Sequence, residues 1–209
     1  MTAKTAAESG LSVLLLEREM EVGVPDKCGE YIPSLEEMKR LAPSVPNAEE
    51  LFDPPSSCIV NRSKYVKFVF PNNHEIAVPF RGLTVERKLY DKHLTNEAAR
   101  AGVRTPIMKK GLNVRDYQRN FVEKHPISSE KLKNAKRTAI KAGFIPVGGA
   151  MERTCTENVL AVGDAGGPTI PTVGGGVPPA LICGRIAGQV LAEYFEEGKP
   201  LTRFESAWR

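Results

Sequence analysis

The residues with the clearest chemical potential are two glycine-bearing runs, Val162-Gly-Asp-Ala-Gly166 and Thr172-Val-Gly-Gly-Gly-Val177, joined by a short linker that holds Pro168 and Pro171. An apolar run ending in Gly163, Asp164 and Ala165 can present a carboxylate to a ribityl or ribose hydroxyl. Glycines that open a helix, here Gly174, Gly175 and Gly176 ahead of Val177, let backbone N–H groups and the positive dipole end approach a pyrophosphate or a flavin ring. Either run alone reads equally well as a glycine loop used for tight packing. The ordered pair favours one long cofactor lying across both.

Further upstream, the apolar run Leu11 to Leu16 closes on Glu17 and Arg18. An acidic residue at the end of the second strand of a dinucleotide-binding βαβ unit hydrogen-bonds a ribose hydroxyl, about 20 residues after the phosphate-binding glycines. Counting back from Glu17 puts those glycines at or before Met1, so the chain is expected to begin inside the first helix. Glu17 also reads as a solvated strand end. Arg87 and Asp91, four apart on an expected helix, read from spacing alone as a surface ion pair. His74, His93 and His125 have no acidic or nucleophilic partner in the sequence pattern and receive no catalytic role.

These residues need elements to position them. Ala-rich residues 2–9, ended by Gly10, read as a helix feeding a buried strand over Leu11 to Leu16. Turn formers fill Val24 to Glu30, a charged helix is expected near Ser34 to Leu41, and a Pro-rich connector spans Pro43 to Pro55. Lys64 to Phe70 and Glu75 to Phe80 flank Pro71 to His74 and predict a β-hairpin. Thr84 is the expected N-cap of a helix from about Val85 to Ala101, with Tyr90, Leu94 and Ala98 on one face and Gly102 as the stop. The basic segment Met108 to Lys141 carries one expected helix near Ser129 to Ile140. Gly143 to Gly149 resembles a strand, Asn158 to Val162 a short buried strand, and Pro178 to Glu197 a long helix with proline tolerated in its first turn. Ala180, Gly184, Ala187 and Gly188 on that helix allow close approach to a sheet or a cofactor.

Composition narrows the function classes. With 41% hydrophobic and 26% charged residues in 209, the chain has material for a core. Its formal charge of +4 is mild and spread out, without the basic stripe that nucleic acid binding uses. The four cysteines, Cys28, Cys58, Cys155 and Cys183, show no CxxC pair and no histidine at metal-ligand spacing. A reducing, cytoplasmic setting is expected, and no apolar run reaches the roughly 18 to 20 residues that span a bilayer.

The chain resembles the geranylgeranyl reductase family, flavoproteins that saturate isoprenoid double bonds. The resemblance is carried by Ala3 to Arg18, Pro25-Asp-Lys-Cys-Gly-Glu30, Thr84 to Asp91, Ile145-Pro-Val-Gly-Gly149, Val162 to Gly166, Gly174 to Val177 and Phe204 to Arg209. It implies an α/β fold, α+β overall, with a partial FAD-binding Rossmann-like parallel sheet and an antiparallel substrate-side sheet. Residues 1–50, 84–105 and 150–209 would form the FAD-binding domain, and 51–83 with 106–149 the substrate side. Glu17 and Arg18 would hold the adenosine ribose end; Cys28 and Gly29 would lie against the cofactor; Arg87 would contact it. Asp164, flanked by Gly163 and Ala165, would hold the ribityl or pyrophosphate region, and Gly174, Gly175, Gly176 and Val177 would bring backbone to the flavin. Cys28 is the one candidate proton donor, and no metal is implied.

The implied reaction is FAD-dependent reduction of C=C bonds in archaeal-type prenyl lipids. The implied partners are the prenyl lipid, an electron donor that is either reduced ferredoxin or a nicotinamide cofactor, and a membrane surface met peripherally. Three family regions have no counterpart here: the first strand and phosphate loop before Met1, a segment between about Arg104 and Lys109, and a helical portion after Arg209. Tyr31 stands where a glycine is usual after Cys-Gly-Glu, an expected obstruction to the cofactor. These departures leave two other readings open, an FAD-dependent aromatic hydroxylase and a non-catalytic remnant that binds lipid or a partner protein.

Overall fold

The computed structural model describes residues 1–15, 17, 21–24, 30–70, 74–104 and 144–209. The Ala-rich opening forms α1 (Thr2–Glu8), and the chain reverses at Gly10, whose φ of +86° is the left-handed conformation a side chain disfavours. It then runs extended. The Leu15 N–H donates to the Arg104 carbonyl at 2.6 Å and the Arg104 N–H to the Val13 carbonyl at 3.1 Å, setting Leu14 and Arg104 in parallel register. The expected buried strand needs correcting: Leu14 is 55% exposed. Among the described residues this pairing with Arg104 is the only neighbour the segment has, so its side chains alternate between half-buried and exposed.

The sheet is antiparallel, in the order β1 (Tyr31–Pro33), β3 (Glu75–Val85), β2 (Ile59–Val69). The hairpin was legible, but both strands reach further than expected. Tyr31 pairs with Thr84 and Ile59 with Val85, so β3 continues to Val85. Thr84 is therefore a strand residue, not an N-cap; Glu86 caps α4 (Arg87–Arg100) without a side-chain bond. Alternation along the strands separates two faces. Ile32, Leu83 and Val85 face the core, whereas Tyr31, Ser63 and Gly82 take the other side. There the Tyr31 ring lies over Gly82, where a Cβ would sit 2.1 Å from its hydroxyl oxygen, and Ser63 Oγ donates to that hydroxyl at 3.2 Å.

Two helices precede the hairpin. In α2 (Leu35–Leu41), Ser34 Oγ accepts the Glu37 N–H at 3.3 Å. The stretch expected as a Pro-rich connector contains α3 (Ala48–Phe52), which buries Ala48, Leu51 and Phe52 against Met38 and Leu181. Two expected strands are not formed. Residues 144–149 make a turn with Phe144, Ile145 and Val147 exposed. Around Asn158 to Val162 there is one antiparallel bridge, Cys155 to Leu160, with Val159 exposed. No other described strand borders either segment. The helix expected near Ser129 to Ile140 lies outside the described residues.

The long helix α5 (Val177–Glu197) organises the rest. Two of its small residues meet α1: a Cβ at Gly188 would fall 2.5 Å from Thr5 Cβ and 2.9 Å from the Thr2 carbonyl oxygen, and one at Gly184 would fall 3.1 Å from Met1 Cβ. Arg185 reaches the Pro46 carbonyl at 2.7 Å and Glu50 at 2.9 Å, clamping α3. The C-terminal half of α5 packs on α6 (Arg203–Trp208) through Cys183, Ala187, Val190, Leu201 and Phe204. Among the described residues no helix is long and apolar enough to cross a membrane.

Glu205 on α6 locks this cluster to the segment before the first glycine run. Its carboxylate accepts the Thr154 N–H, the Thr154 hydroxyl at 2.9 Å, the Cys155 N–H at 3.1 Å and Arg209 Nε at 2.9 Å. Burial pushes the carboxyl up, but the Thr154 backbone N–H, the Arg209 guanidinium and the Thr154 hydroxyl outweigh it and hold its pKa at about 2.

Two outcomes test this packing. Gly188→Ala is expected to cost about 1–3 kcal/mol by urea denaturation, because backbone stands in the way of the new methyl; an unchanged midpoint would contradict the α1–α5 contact. For Glu205, a folded pKa below the ordinary 4.5 means stability present in full above 4.5 and lost as pH falls towards about 2. Melting curves across that window should flatten in Glu205→Gln, and parallel curves for both proteins would refute the lock.

Candidate functional site

The first glycine run ends in a single 3-10 turn, Gly163–Ala165. Gly163 holds φ +61° beside Ala180 of α5, where a Cβ would meet the Ala180 methyl at 3.4 Å. The turn closes with the Gly166 N–H on the Gly163 carbonyl at 2.9 Å and the Gly167 N–H on the Asp164 carbonyl at 3.2 Å. Backbone bonds between Ile170 and Gly175, at 3.1 and 3.3 Å, pinch the second run into a tight loop. That loop delivers Gly176 as the N-cap of α5 and Val177 as its first residue.

The two runs meet at Gly176. A Cβ there would lie 3.1 Å from Asp164 Oδ1 and 3.7 Å from Thr169 Oγ1. Asp164 is exposed, and its carboxylate has no hydrogen bond or ion pair with another described residue. A helix of this length presents several unpaired N–H groups at its start. Here Pro178 and Pro179 remove two of them, leaving Gly176 and Val177 as donors beside a free carboxylate. Donors and an acceptor this close suit a neutral group that both gives and receives hydrogen bonds. Thr169 adds an anomaly: it is 6% exposed, and its Oγ1 is buried with no partner. An unmade bond of this kind costs on the order of 1–3 kcal/mol.

Val177 links this point to the sheet. It packs against the cluster of Ile32, Cys58, Leu83, Val85 and Tyr90, and also against that of Met38, Leu51 and Phe52. Tyr90 belongs to the first turns of α4, so the N-terminal ends of α4 and α5 share one apolar contact. Burial pushes the Tyr90 phenol up to about 12. The segment after Glu17 reaches the same end of α4, where Glu21 pairs with Lys88 at 3.1 Å and also with Lys92. Gly23 lies against Lys88 so closely that a Cβ would be 2.8 Å from its Cα.

The expected site residues thus divide. Gly163, Asp164, Ala165, Gly174, Gly175, Gly176 and Val177 come together at the start of α5. Arg87 sits at the start of α4 and forms a two-point contact with Asp91, Nε to Oδ1 at 3.0 Å and Nη2 to Oδ2 at 3.1 Å, both side chains about three-quarters buried. Glu17 is half-buried at the end of the extended segment. Arg18, Cys28 and Gly29 lie outside the described residues. The Tyr31 ring lies over Gly82, on the face of the sheet opposite Leu83 and Val85. Two residues were missed. Ile145 stacks on Gly174, with Cδ1 3.1 Å from where a Cβ would be; Thr169 looked like an ordinary polar loop residue between prolines.

No family model matches the chain. A digeranylgeranylglycerophospholipid reductase from Methanopyrus kandleri aligns with all of it at 23% identity, spanning 78% of that relative. The one from Methanococcus aeolicus is 39% identical over 98 residues, 45% of this chain and a quarter of the relative. The chain is thus similar over its whole length to digeranylgeranylglycerophospholipid reductases. A geranylgeranyl bacteriochlorophyll reductase-like protein from Thermoplasma acidophilum has the same fold, with a TM-score of 0.78 at 19% identity over 98% of this chain and 79% of that one. The M. kandleri alignment runs over 321 positions against 209 residues, so 112 positions have no residue in this chain.

Because Asp164 binds nothing in the described protein, Asp164→Asn should leave the unfolding midpoint within about 0.5 kcal/mol of the parent. A larger loss in thermal or urea denaturation would show the carboxylate to be a structural element.

Proposed function

We propose that this chain is a member of the geranylgeranyl reductase family, an FAD-dependent reductase that saturates isoprenoid C=C bonds of archaeal-type prenyl lipids, with the flavin held where the two glycine runs meet. The observation that carries the reading is the meeting of Asp164, Gly176 and the start of α5 at one point. The fit is specific: the position a Cβ would fill at Gly176 is bordered by the Asp164 carboxylate and the orphaned Thr169 hydroxyl, a cradle for a group with its own hydroxyls. Asp164 would accept from the ribityl chain, Gly176 and Val177 would offer their N–H groups, and Arg87 and Glu17 would take the more distant parts. Residues 1–50, 84–105 and 150–209 would form the FAD-binding domain of Rossmann type, a view supported by the parallel register of Leu14 and Arg104 beyond α1 and α4.

A bound reduced flavin supplies a hydride for one carbon of an alkene while a proton reaches the other. The chain's own contribution is position. An isolated alkene has no polar handle, so an apolar surface must hold it. The core-side face of the hairpin provides one: Val66 pairs with Val78 and Phe68 with Ile76 on the side shared with Leu83 and Val85. Phe68, Ile76 and Val78 are exposed there. Arg62 and Lys64 occupy the same face further along β2, cations suited to a lipid phosphate. The electron donor would be reduced ferredoxin or a nicotinamide cofactor, and the lipid would be met at a membrane surface.

The test is reduction of a digeranylgeranyl glycerophospholipid by the FAD-loaded protein under anaerobic dithionite, read by mass spectrometry as two hydrogens gained per double bond. Because Phe68 and Ile76 are exposed, Phe68→Asp and Ile76→Asp should leave the fold intact and each lower the rate about tenfold or more. Unchanged rates would remove the hairpin face from the substrate path, and no mass gain in the parent would overturn the reductase reading.

A further inference from the structure

The unpartnered Thr169 hydroxyl is the one orphaned buried side-chain polar atom among the described residues, and it stands at the start of a 21-residue helix. The Thr169 backbone N–H donates to the Gly167 carbonyl at 2.7 Å, while the hydroxyl is left over. Its oxygen lies 3.7 Å from where a Gly176 Cβ would sit, a position also bordered by Asp164 Oδ1 at 3.1 Å, in a loop pinched by Ile170 and Gly175.

Resting on the proposed flavin site, we propose that Thr169 is a further cofactor-contacting residue, whose hydroxyl hydrogen-bonds a ribityl hydroxyl beside Asp164. The surrounding charges select that group. A phosphate at this point would face the Asp164 carboxylate, and the two prolines of α5 leave only the Gly176 and Val177 N–H groups to offset the repulsion. A neutral hydroxyl suits both kinds of partner: it donates to Asp164 and accepts from Thr169 or from a helix N–H. Asp164 is exposed, so its carboxylate would be able to turn onto a bound hydroxyl. The pyrophosphate end of the cofactor then lies elsewhere.

The experiment compares FAD affinity, by quenching of flavin fluorescence, in the parent, Thr169→Val and Thr169→Ser, alongside the melting temperature of each apoprotein. Thr169→Val is expected to weaken FAD about five- to tenfold, the worth of one neutral hydrogen bond, while the apoprotein melts no lower than the parent because a stranded hydroxyl has been removed. Thr169→Ser should bind like the parent. Equal FAD affinity in Thr169→Val, or a lower melting temperature of its apoprotein, would overturn the role of Thr169 while leaving the flavin reading intact. A parent that binds no FAD would overturn both.

Discussion

The backbone of α1 comes so near α5 that a methyl group at Gly188 would sit 2.9 Å from the Thr2 carbonyl oxygen, and the remaining packing follows from that approach. With α1 seated against the bare side of α5, the extended segment after Gly10 is led to Arg104 at the far end of α4, and Lys4 of α1 pairs with Glu97 of α4 at 3.6 Å. The other sides of α5 stay available for α3, through Arg185, and for α6, through Ala187 and Val190. One helix thereby touches all three apolar clusters, and its first residue, Val177, is where two of them join.

This arrangement explains why chemistry concentrates at one end of the helix. The N-terminal ends of α4 and α5 converge on the core face of the hairpin, and the glycine loops close over that junction. Backbone there must be accessible and side chains small, which is what Gly163, Gly174 and Gly176 provide. Among the described residues Thr169 holds the one buried side-chain polar atom without a partner, and it gathers with Asp164 and two helix N–H groups at the start of α5. Where a fold tolerates such a concentration of unmet hydrogen bonds, a ligand is the ordinary means of meeting them.

The sequence revealed the long helices, the hairpin and the glycine runs, because each has a strong local signal: period 3.6 around Leu181 to Tyr194, alternation around Phe68 and Ile76, and glycines whose positive φ no other residue adopts easily. Strand ends were misjudged where pairing decides them. Thr84 has the chemistry of an N-cap, but its backbone is claimed by Tyr31. Asn158 to Val162 has a strand's composition, but among the described residues only the Cys155 to Leu160 bridge pairs it. Apolar α3 was hidden by the prolines around it. In the site, Asp164 and Gly176 were legible as types in order, whereas Thr169 was not, since burial of a loop hydroxyl depends on how the chain folds back over it. The direction of the Tyr31 ring likewise depends on strand register, which composition does not encode.

The most direct test of the central claim, that the start of α5 is a flavin site, is the visible absorption spectrum of the purified protein after incubation with excess FAD and desalting. The account predicts retained flavin bands, shifted and structured relative to free FAD by an environment that excludes water from the ring. A colourless protein after desalting would contradict it and would leave the gathering of Asp164, Thr169 and Gly176 without the ligand proposed for it.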